Sequence, residues 1–505
     1  MLVHDYLDRT ARSLPDTVAL VSGERRLTYG ELQLRAAGFR NWLLSRGLKK
    51  GDRVAIYLEN TPECVVAIFG ALGAGGCLVI LNPATVLSRL QYILQDSGAS
   101  FLIVPGEKAA EIQKAVPAPD AITIVAVEGS APLPDGVHQF AAATLSGNPD
   151  PFLINGNDLA AIIYTSGSTG QPKGATHLHR TVDAAVESII EYLGNSEQDV
   201  ILSFLPLSSS YGILQLLCTF RTGARLVLEK GFGFPYEVVQ KIQTERVTGM
   251  AGAPTVWALL TKLEGVSPSA FESMRYITNA AAALPATFIP RLRRMFPQTR
   301  IFLMHGATEC FRTTFLPPEE VETRPTSVGR GMPNIELWLE DADGRRLPLG
   351  EEGEMVARGP SVMVGYWGNP GATARVLTPG VYPWEQTFHT GDTFRTDLEG
   401  YFYFVARKDE IIKSRGEKVS PVEVEDVIYK IEQVAEVRVV GVPDPILGHA
   451  IRAEIVWKGE PTMTPHDVKV HCRKYLEDFK TPTMVEFVKH LPKTAGGKIK
   501  RTITP

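Results

Sequence analysis

Apolar residues along this chain follow two alternating rhythms. From Leu32 to Leu43 they recur three and four positions apart, as on one face of a helix, whereas Arg53–Leu58 carries a short apolar run suited to a covered strand. The exchange repeats, with helical Glu63–Gly73, strand Leu78–Leu81, helical Ser88–Ser97 and strand Ser100–Val104. Such alternation predicts an α/β fold with largely parallel strands. A polar, Gly- and Pro-containing stretch from about Gly129 to Asn157 is expected to separate this part from the central third of the chain. From Gly350 onward, runs such as 353–358 and 400–404 read as short strands with turns, a smaller β-rich subdomain. The charged run Arg407-Lys408-Asp409-Glu410 marks the expected boundary. Past it the pattern is α+β, with strand Ile411–Lys413, helix Pro421–Ile431, strand Val434–Val440 and helix Pro465–Leu476.

Size agrees with this division, because 505 residues are too many for a single core. Hydrophobic content of 44% and charged content of 21% are ordinary for a globular protein. A net charge of −4 gives no sign of a nucleic-acid groove, and the basic run Arg291–Arg294 reads as a solvated helix face. The five cysteines (Cys64, Cys77, Cys218, Cys310, Cys472) are scattered without a CxxC pair. They read as small core residues in a reducing compartment. The start, MLVHDYLDRTARS, lacks a basic-then-apolar leader, and glycines break the longest apolar run, Val65–Leu81. A cytoplasmic protein without a membrane span is therefore expected.

The chemistry begins at residues 164–174, YTSGSTGQPKG. Ser166, Gly167, Ser168, Thr169 and Gly170 cannot fill a core, but their backbone N–H groups and hydroxyls can wrap an anion. Lys173 adds a point charge at the rim. The loop follows the apolar strand Leu159–Ile163 and lacks the Gly-Lys-Ser/Thr ending of a Walker A motif. A strand leading into a phosphate-binding loop makes a nucleotide the expected substrate.

Further segments set this loop in context: HGATE at 305–309, FHTGD at 388–392, ARKDEIIKSRGEKVSPVEVE at 406–425 and LPKTAGGKIKR at 491–501. LTYGEL (27–32), GALGAGGCLVILNP (70–83) and GEMVARGPSVMVGYWGNP (353–370) accompany them. In this order and spacing they resemble the core motifs of the adenylate-forming (ANL) ligases: acyl-CoA synthetases, peptide-synthetase adenylation domains and luciferases. The resemblance runs from about Asp5 to Arg501.

That resemblance implies a large N-terminal domain of packed mixed sheets and helices (1–406), a hinge (407–410) and a small mobile C-terminal domain (411–505). It also implies Mg-ATP and a carboxylic acid as substrates. The acid carboxylate attacks the α-phosphorus, pyrophosphate leaves, and an acyl-AMP forms. Thr165 and the following loop to Gly170, with Lys173, would clamp the pyrophosphate end; Thr308 would bind the α-phosphate and Glu309 would hold Mg²⁺. Asp392 and Arg407 would take the ribose, and Lys498 would sit between α-phosphate and acid. Ala282, His305 and Gly306 would border the nucleotide. His305 departs from the family, where an aromatic residue, commonly Tyr, stacks on adenine. The hinge position falls on Asp409, and Gly416 would line a pantetheine tunnel opened by rotation of the small domain. His177 and His179 form an HxH without a third ligand nearby in the sequence, and are expected to cap or pack the following helix.

The acid pocket would be formed by Ser209, Ser210, Tyr211, Trp257, Ala281, Ala282 and Gly306. No acidic residue lies between Ser203 and Arg225, which disfavours an α-amino acid. Alanines stand at 280–283 where glycines are frequent, and with Trp257 and Phe311 they are expected to favour a compact acid, aryl or short-to-medium acyl. Coenzyme A is the expected thiol, the chain ending at Pro505 with no carrier domain; Lys480 would meet its phosphates, although threonines flank that lysine's turn. A carrier-protein pantetheine is the alternative acceptor, and a luciferase-like monooxygenase or a non-catalytic nucleotide sensor are the alternative functions. Monomer and homodimer both remain open.

Overall fold

A computed structural model describes residues 1–116, 122–127, 132–144, 153–165, 171–407, 410–414, 417–444, 447–493 and 499–501. The predicted alternation is present. Thr28 caps the helix Tyr29–Ser45 in a reciprocal capping box with Glu31, and Thr61 caps Pro62–Gly73, whose proline suits the first turn. These two helices pack between sheets and bury Phe39, Trp42, Val65 and Phe69.

Among the described residues the first sheet has eight strands, with Lys173–Leu178, Leu159–Thr165, Cys77–Ile80, Arg53–Ile56, Ala99–Pro105 and Thr123–Val127 adjacent in that order. Its middle is parallel, while Lys173–Leu178 runs antiparallel to Leu159–Thr165. The stretch expected to be a polar separator supplies part of it: His138–Gln139 pairs with Thr123–Val127. The short helix Phe140–Ala143 comes next, and Phe140 packs its ring 4.9 Å from Phe39. One phenylalanine in a polar region was too faint a signal for that.

The second sheet has 14 strands among the described residues. Val200–Ser203, Gly249–Gly252, Tyr276–Asn279 and Arg300–His305 are parallel. Beyond Arg300–His305 the sheet turns antiparallel through Thr314–Phe315, Ser327–Gly331, Phe402–Arg407, Gln386–Thr396 and Glu352–Arg358, the β-rich subdomain. A third sheet, of five strands among the described residues and centred on Val434–Asp444 and Gly448–Trp457, buries its own apolar cluster with Pro421–Ile428 and Pro465–Arg473. This α+β unit touches the rest through Ser420 Oγ, which donates to the Val405 carbonyl, and through an edge contact between Phe288 and Tyr429.

All five cysteines are buried, and burial pushes each thiol up to about 12. They are inert core residues. No described helix is long and apolar enough to cross a membrane.

Candidate active site

The glycine-rich segment falls between two antiparallel strands, Leu159–Thr165 and Lys173–Leu178. These strands close at Thr165, which pairs with Lys173, and Thr165 Oγ1 donates to the Lys173 carbonyl. Gly174 permits this close pairing, since a Cβ there would stand 2.4 Å from Ile162. Ser166, Gly167, Ser168, Thr169 and Gly170 lie outside the described residues, as do Asp409, Gly416 and Lys498.

The hairpin meets the β-rich subdomain directly. Gly365–Tyr366 adds to Lys173–Leu178, with Tyr366 opposite Ala175. That pairing lays the Tyr366 ring 5.5 Å from Lys173 Nζ and lets its hydroxyl donate to Glu309 at 2.6 Å. Burial and the Glu309 charge together raise the Tyr366 phenol far above its ordinary range, so it remains a donor. Lys173, Tyr366 and Glu309 thus form one line from the loop's end to the HGATE segment.

His177 supports that segment from behind. Fully buried, its Nε2 lies 2.9 Å from the Thr308 carbonyl and its ring 4.2 Å from Phe311. Burial pushes its pKa down to about 4, so the ring is neutral, and with Nε2 protonated it donates to that carbonyl. His179, lowered to about 3 by burial, opens the helix His179–Leu193 and accepts from the Val3 N–H through Nδ1. Among the described residues no group of three or more His, Cys, Asp or Glu is arranged to hold a metal.

His305 ends its strand beside the nucleotide residues expected from the sequence. Its Nδ1 lies 2.8 Å from Thr313 Oγ1 and its Nε2 3.1 Å from Asp392 Oδ2, while its ring meets Phe394 edge-on. Asp392 sits directly across the strand pair from Arg407, whose Nε is 3.9 Å from Asp392 Oδ1. Gly391, inside the strand Gln386–Thr396 where its pairing with Glu352–Arg358 shifts register, takes φ +71°, a conformation that favours glycine. Gly306 is equally constrained, for a Cβ there would stand 2.3 Å from the Phe311 carbonyl oxygen.

The residues expected around the acid are spread over several roles. Ser209 caps the helix Ser210–Thr222, its hydroxyl accepting from the Gly212 N–H and donating to the Pro206 carbonyl. Ser210 starts that helix, and Tyr211 fixes its hydroxyl to Thr278 at 2.6 Å. Trp257 is fully buried behind Gly252, its indole N–H on Asn279. Ala281 holds a left-handed backbone, φ +72°, and both Ala281 and Ala282 are exposed. Asn279 ties this turn by donating to the Ala282 carbonyl. An apolar cavity of about 30 Å³ lies by Ser208, Ile213, Leu217 and Phe311.

Sequence reasoning stopped one residue short of Arg312. It is 3% exposed, its guanidinium carbon is 4.9 Å from the Tyr211 ring centroid, and its Nε–H has no hydrogen-bond partner among the described residues. The available signal was an arginine inside the otherwise uncharged run Cys310-Phe311-Arg312-Thr313-Thr314.

In the small unit Lys480 pairs with Glu423 at 2.8 Å and Glu477 at 3.1 Å. Burial opposes its charge, but those carboxylates outweigh it and its pKa is raised. The chain on either side of 494–498 is fastened. Lys493 bridges to Ile499, Arg438 donates to the Lys500 carbonyl, and Arg501 pairs with Glu425 and Glu410.

The same layout occurs in known proteins. Residues 7–367 match the model of the AMP-binding enzyme family, and residues 423–498 match the AMP-binding enzyme C-terminal domain. The chain belongs to the AMP-binding enzyme family. A feruloyl-CoA synthase from Amycolatopsis sp is 32% identical, covering 97% of this chain and 96% of that protein. A long-chain-fatty-acid–CoA ligase from Bacillus subtilis is 29% identical, covering 99% and 93%. ATP-bound MatB from Rhodopseudomonas palustris superposes with a TM-score of 0.89 at 27% identity, covering 99% of this chain and 97% of that one. At family level, this member of the AMP-binding enzymes is an AMP-forming acyl- or aryl-CoA ligase using ATP and CoA.

Proposed function

We propose that the chain converts a compact carboxylic acid, aryl or short-to-medium acyl, to its acyl-AMP and then to a CoA thioester. The observation that supports this most is the single file of Lys173, Tyr366 and Glu309 beside the pair His305–Asp392, with Arg407 across from it. The cationic and donor groups of the first set suit phosphates, and the Asp392 carboxylate suits ribose hydroxyls.

In this reading Lys173 and the hairpin loop hold the β- and γ-phosphates. Thr308 holds the α-phosphate, its backbone fixed by His177. Asp392 accepts the ribose hydroxyls with Arg407 assisting, and the flat His305 ring borders the base next to Ala282 and Gly306. Glu309 suits Mg²⁺, because one carboxylate plus substrate phosphate oxygens is that ion's usual donor set. When bound, the ion neutralises charge that develops between the phosphates. Lys498 lowers the cost of bringing the acid carboxylate to the α-phosphate.

The division into residues 1–406, a hinge at 407–410 carrying Asp409, and 411–505 belongs to the same proposal. Rotation withdraws Lys498 and admits the thiol past Gly416, where a side chain would obstruct it. The separate apolar cluster of the small unit supports such rigid-body movement. The compact acid is supported by the immobile wall of Tyr211 on Thr278 and by Trp257 closing behind Gly252. Lys480 would serve the CoA phosphates. Its present ion pairs with Glu423 and Glu477 leave a carrier-protein pantetheine as the second reading of the acceptor.

The test is a panel of aryl, short, medium and long acids, scored for pyrophosphate release and thioester formation with CoA or a pantetheinylated carrier. Thioester formation from compact acids and CoA is expected. Preference for long chains would overturn the compact pocket, and release of pyrophosphate with no acid offered would overturn the reading itself.

A further inference from the structure

Arg312 is a buried cation. A guanidinium stays protonated in any protein environment, so burial cannot neutralise it. No ion pair to it occurs among the described residues, although it is 3% exposed. The face of Tyr211 offsets only part of what desolvation costs such a group. Neighbouring carboxylates are engaged elsewhere: Glu309 with Tyr366, Asp392 with His305, Glu187 with Arg221.

The backbone explains why the side chain leaves the phosphate side. Phe311 adopts φ +63°, a left-handed turn that an aromatic residue rarely takes, and the chain reverses there. Phe311 then packs on His177, behind the Thr308 carbonyl, while Arg312 reaches Tyr211 on the helix Ser210–Thr222. Tyr192 on His179–Leu193 also feels its charge and a side-chain hydrogen bond from it. Two cation–ring pairs therefore flank the HGATE segment: Lys173 over Tyr366 on the phosphate side, and Arg312 over Tyr211 among the acid-pocket residues.

The second pair has an open valence. A ring covering the guanidinium face leaves its edge uncovered, and at that edge Nε–H has no partner among the described residues. Nε–H and one Nη–H form the side-on fork that matches the two oxygens of a carboxylate. We propose that Arg312 receives a second carboxylate, carried at the far end of the acid being activated, so that the substrate class is a compact dicarboxylate. This rests on the reading of the chain as an acid–thiol ligase. It narrows that reading, since an acid with an apolar tail would instead use the cavity by Ser208, Ile213 and Phe311.

The test pairs diacids with their monomethyl esters: succinate, glutarate, adipate, isophthalate and terephthalate, using the full chain, ATP and CoA. At least one diacid should exceed its ester in kcat/KM by on the order of a hundredfold, because a site built for a polar group rejects the analogue lacking it. Arg312→Met should bring that ratio to one or below, and Arg312→Lys, which keeps charge but loses the fork, should fall between. Ligand-induced shifts in melting temperature, measured with the same pairs, do not depend on turnover. A diacid should raise the midpoint of the wild-type protein more than its ester does. Efficient thioester formation from the esters, with no diacid preferred, overturns the proposal and leaves the ligase reading intact. Diacid-specific stabilisation without thioester from any acid keeps the anion subsite and overturns the ligase reading. Absence of both effects overturns both.

Discussion

His305 Nε2 lies 3.1 Å from Asp392 Oδ2, although 87 residues separate them in sequence. The imidazole therefore holds the carboxylate that is proposed to accept the ribose. His305→Phe keeps a flat ring and removes that donor, costing about 1 kcal/mol, so KM for ATP should change by no more than about fivefold. Asp392→Ala removes charge-assisted bonds of about 1.5–3 kcal/mol and should raise the same KM by roughly ten- to a hundredfold. Steady-state pyrophosphate release compares the two, and the opposite ranking would take Asp392 out of the ribose role.

Acid should weaken the large domain through His177. Its folded pKa, about 4, lies below the ordinary histidine value, so the unfolded chain takes up a proton first as pH falls. The associated stability is complete above about pH 6.5 and drains away between there and about pH 4, amounting to about 2 kcal/mol at pH 5. Denaturant unfolding at pH 7.5 and pH 5 should show that loss, and His177→Gln should show a smaller one. Equal pH sensitivity in the two proteins would contradict the assignment.

Gly306→Ala tests the tightness of the HGATE turn. The added Cβ would meet the Phe311 carbonyl oxygen at 2.3 Å, so the segment 305–312 must shift. A displacement near 1 Å at a reacting centre costs on the order of a hundredfold in rate. Acid-dependent ATP–pyrophosphate exchange should fall by about that factor while the far-ultraviolet circular dichroism is retained. Exchange within twofold of wild type would show that the turn has slack.

Lys480→Ala separates fold from function in the small unit. Its two ion pairs are partly solvated, so the unfolding midpoint should move by less than about 1 kcal/mol in stability. KM for CoA should rise by several-fold, more than KM for ATP or acid does, in a coupled thioester assay. An unchanged KM for CoA would free Lys480 from any part in binding the thiol substrate.

Much of this was legible because periodicity and motif are local. The helix Tyr29–Ser45 shows its apolar spacing and its capping residues within a few positions, and the loop-bearing hairpin shows a strand, a glycine run and a lysine in succession. What sequence left open depends on distant partners. Nothing near His177 indicates that its ring would meet the Thr308 carbonyl, 131 residues away. Ser209 reads as a pocket hydroxyl in the sequence, and its work as a helix cap shows only where the Gly212 N–H points at it. Arg312 went unread, because the reversal at Phe311 that turns it inward onto Tyr211 is a backbone feature. The Phe140 helix was hidden for the same reason, since its partner Phe39 lies on another element.

Arg438 and Arg501 rivet the last described residues to the small unit at Lys500 and Glu425 and to the adjoining Glu410, and Lys493 closes the other side against Ile499. Residues bolted in this way travel with the small unit, as a tool travels with its arm. Loosening one bolt, as Arg501→Ala would, should therefore degrade aim before it degrades strength.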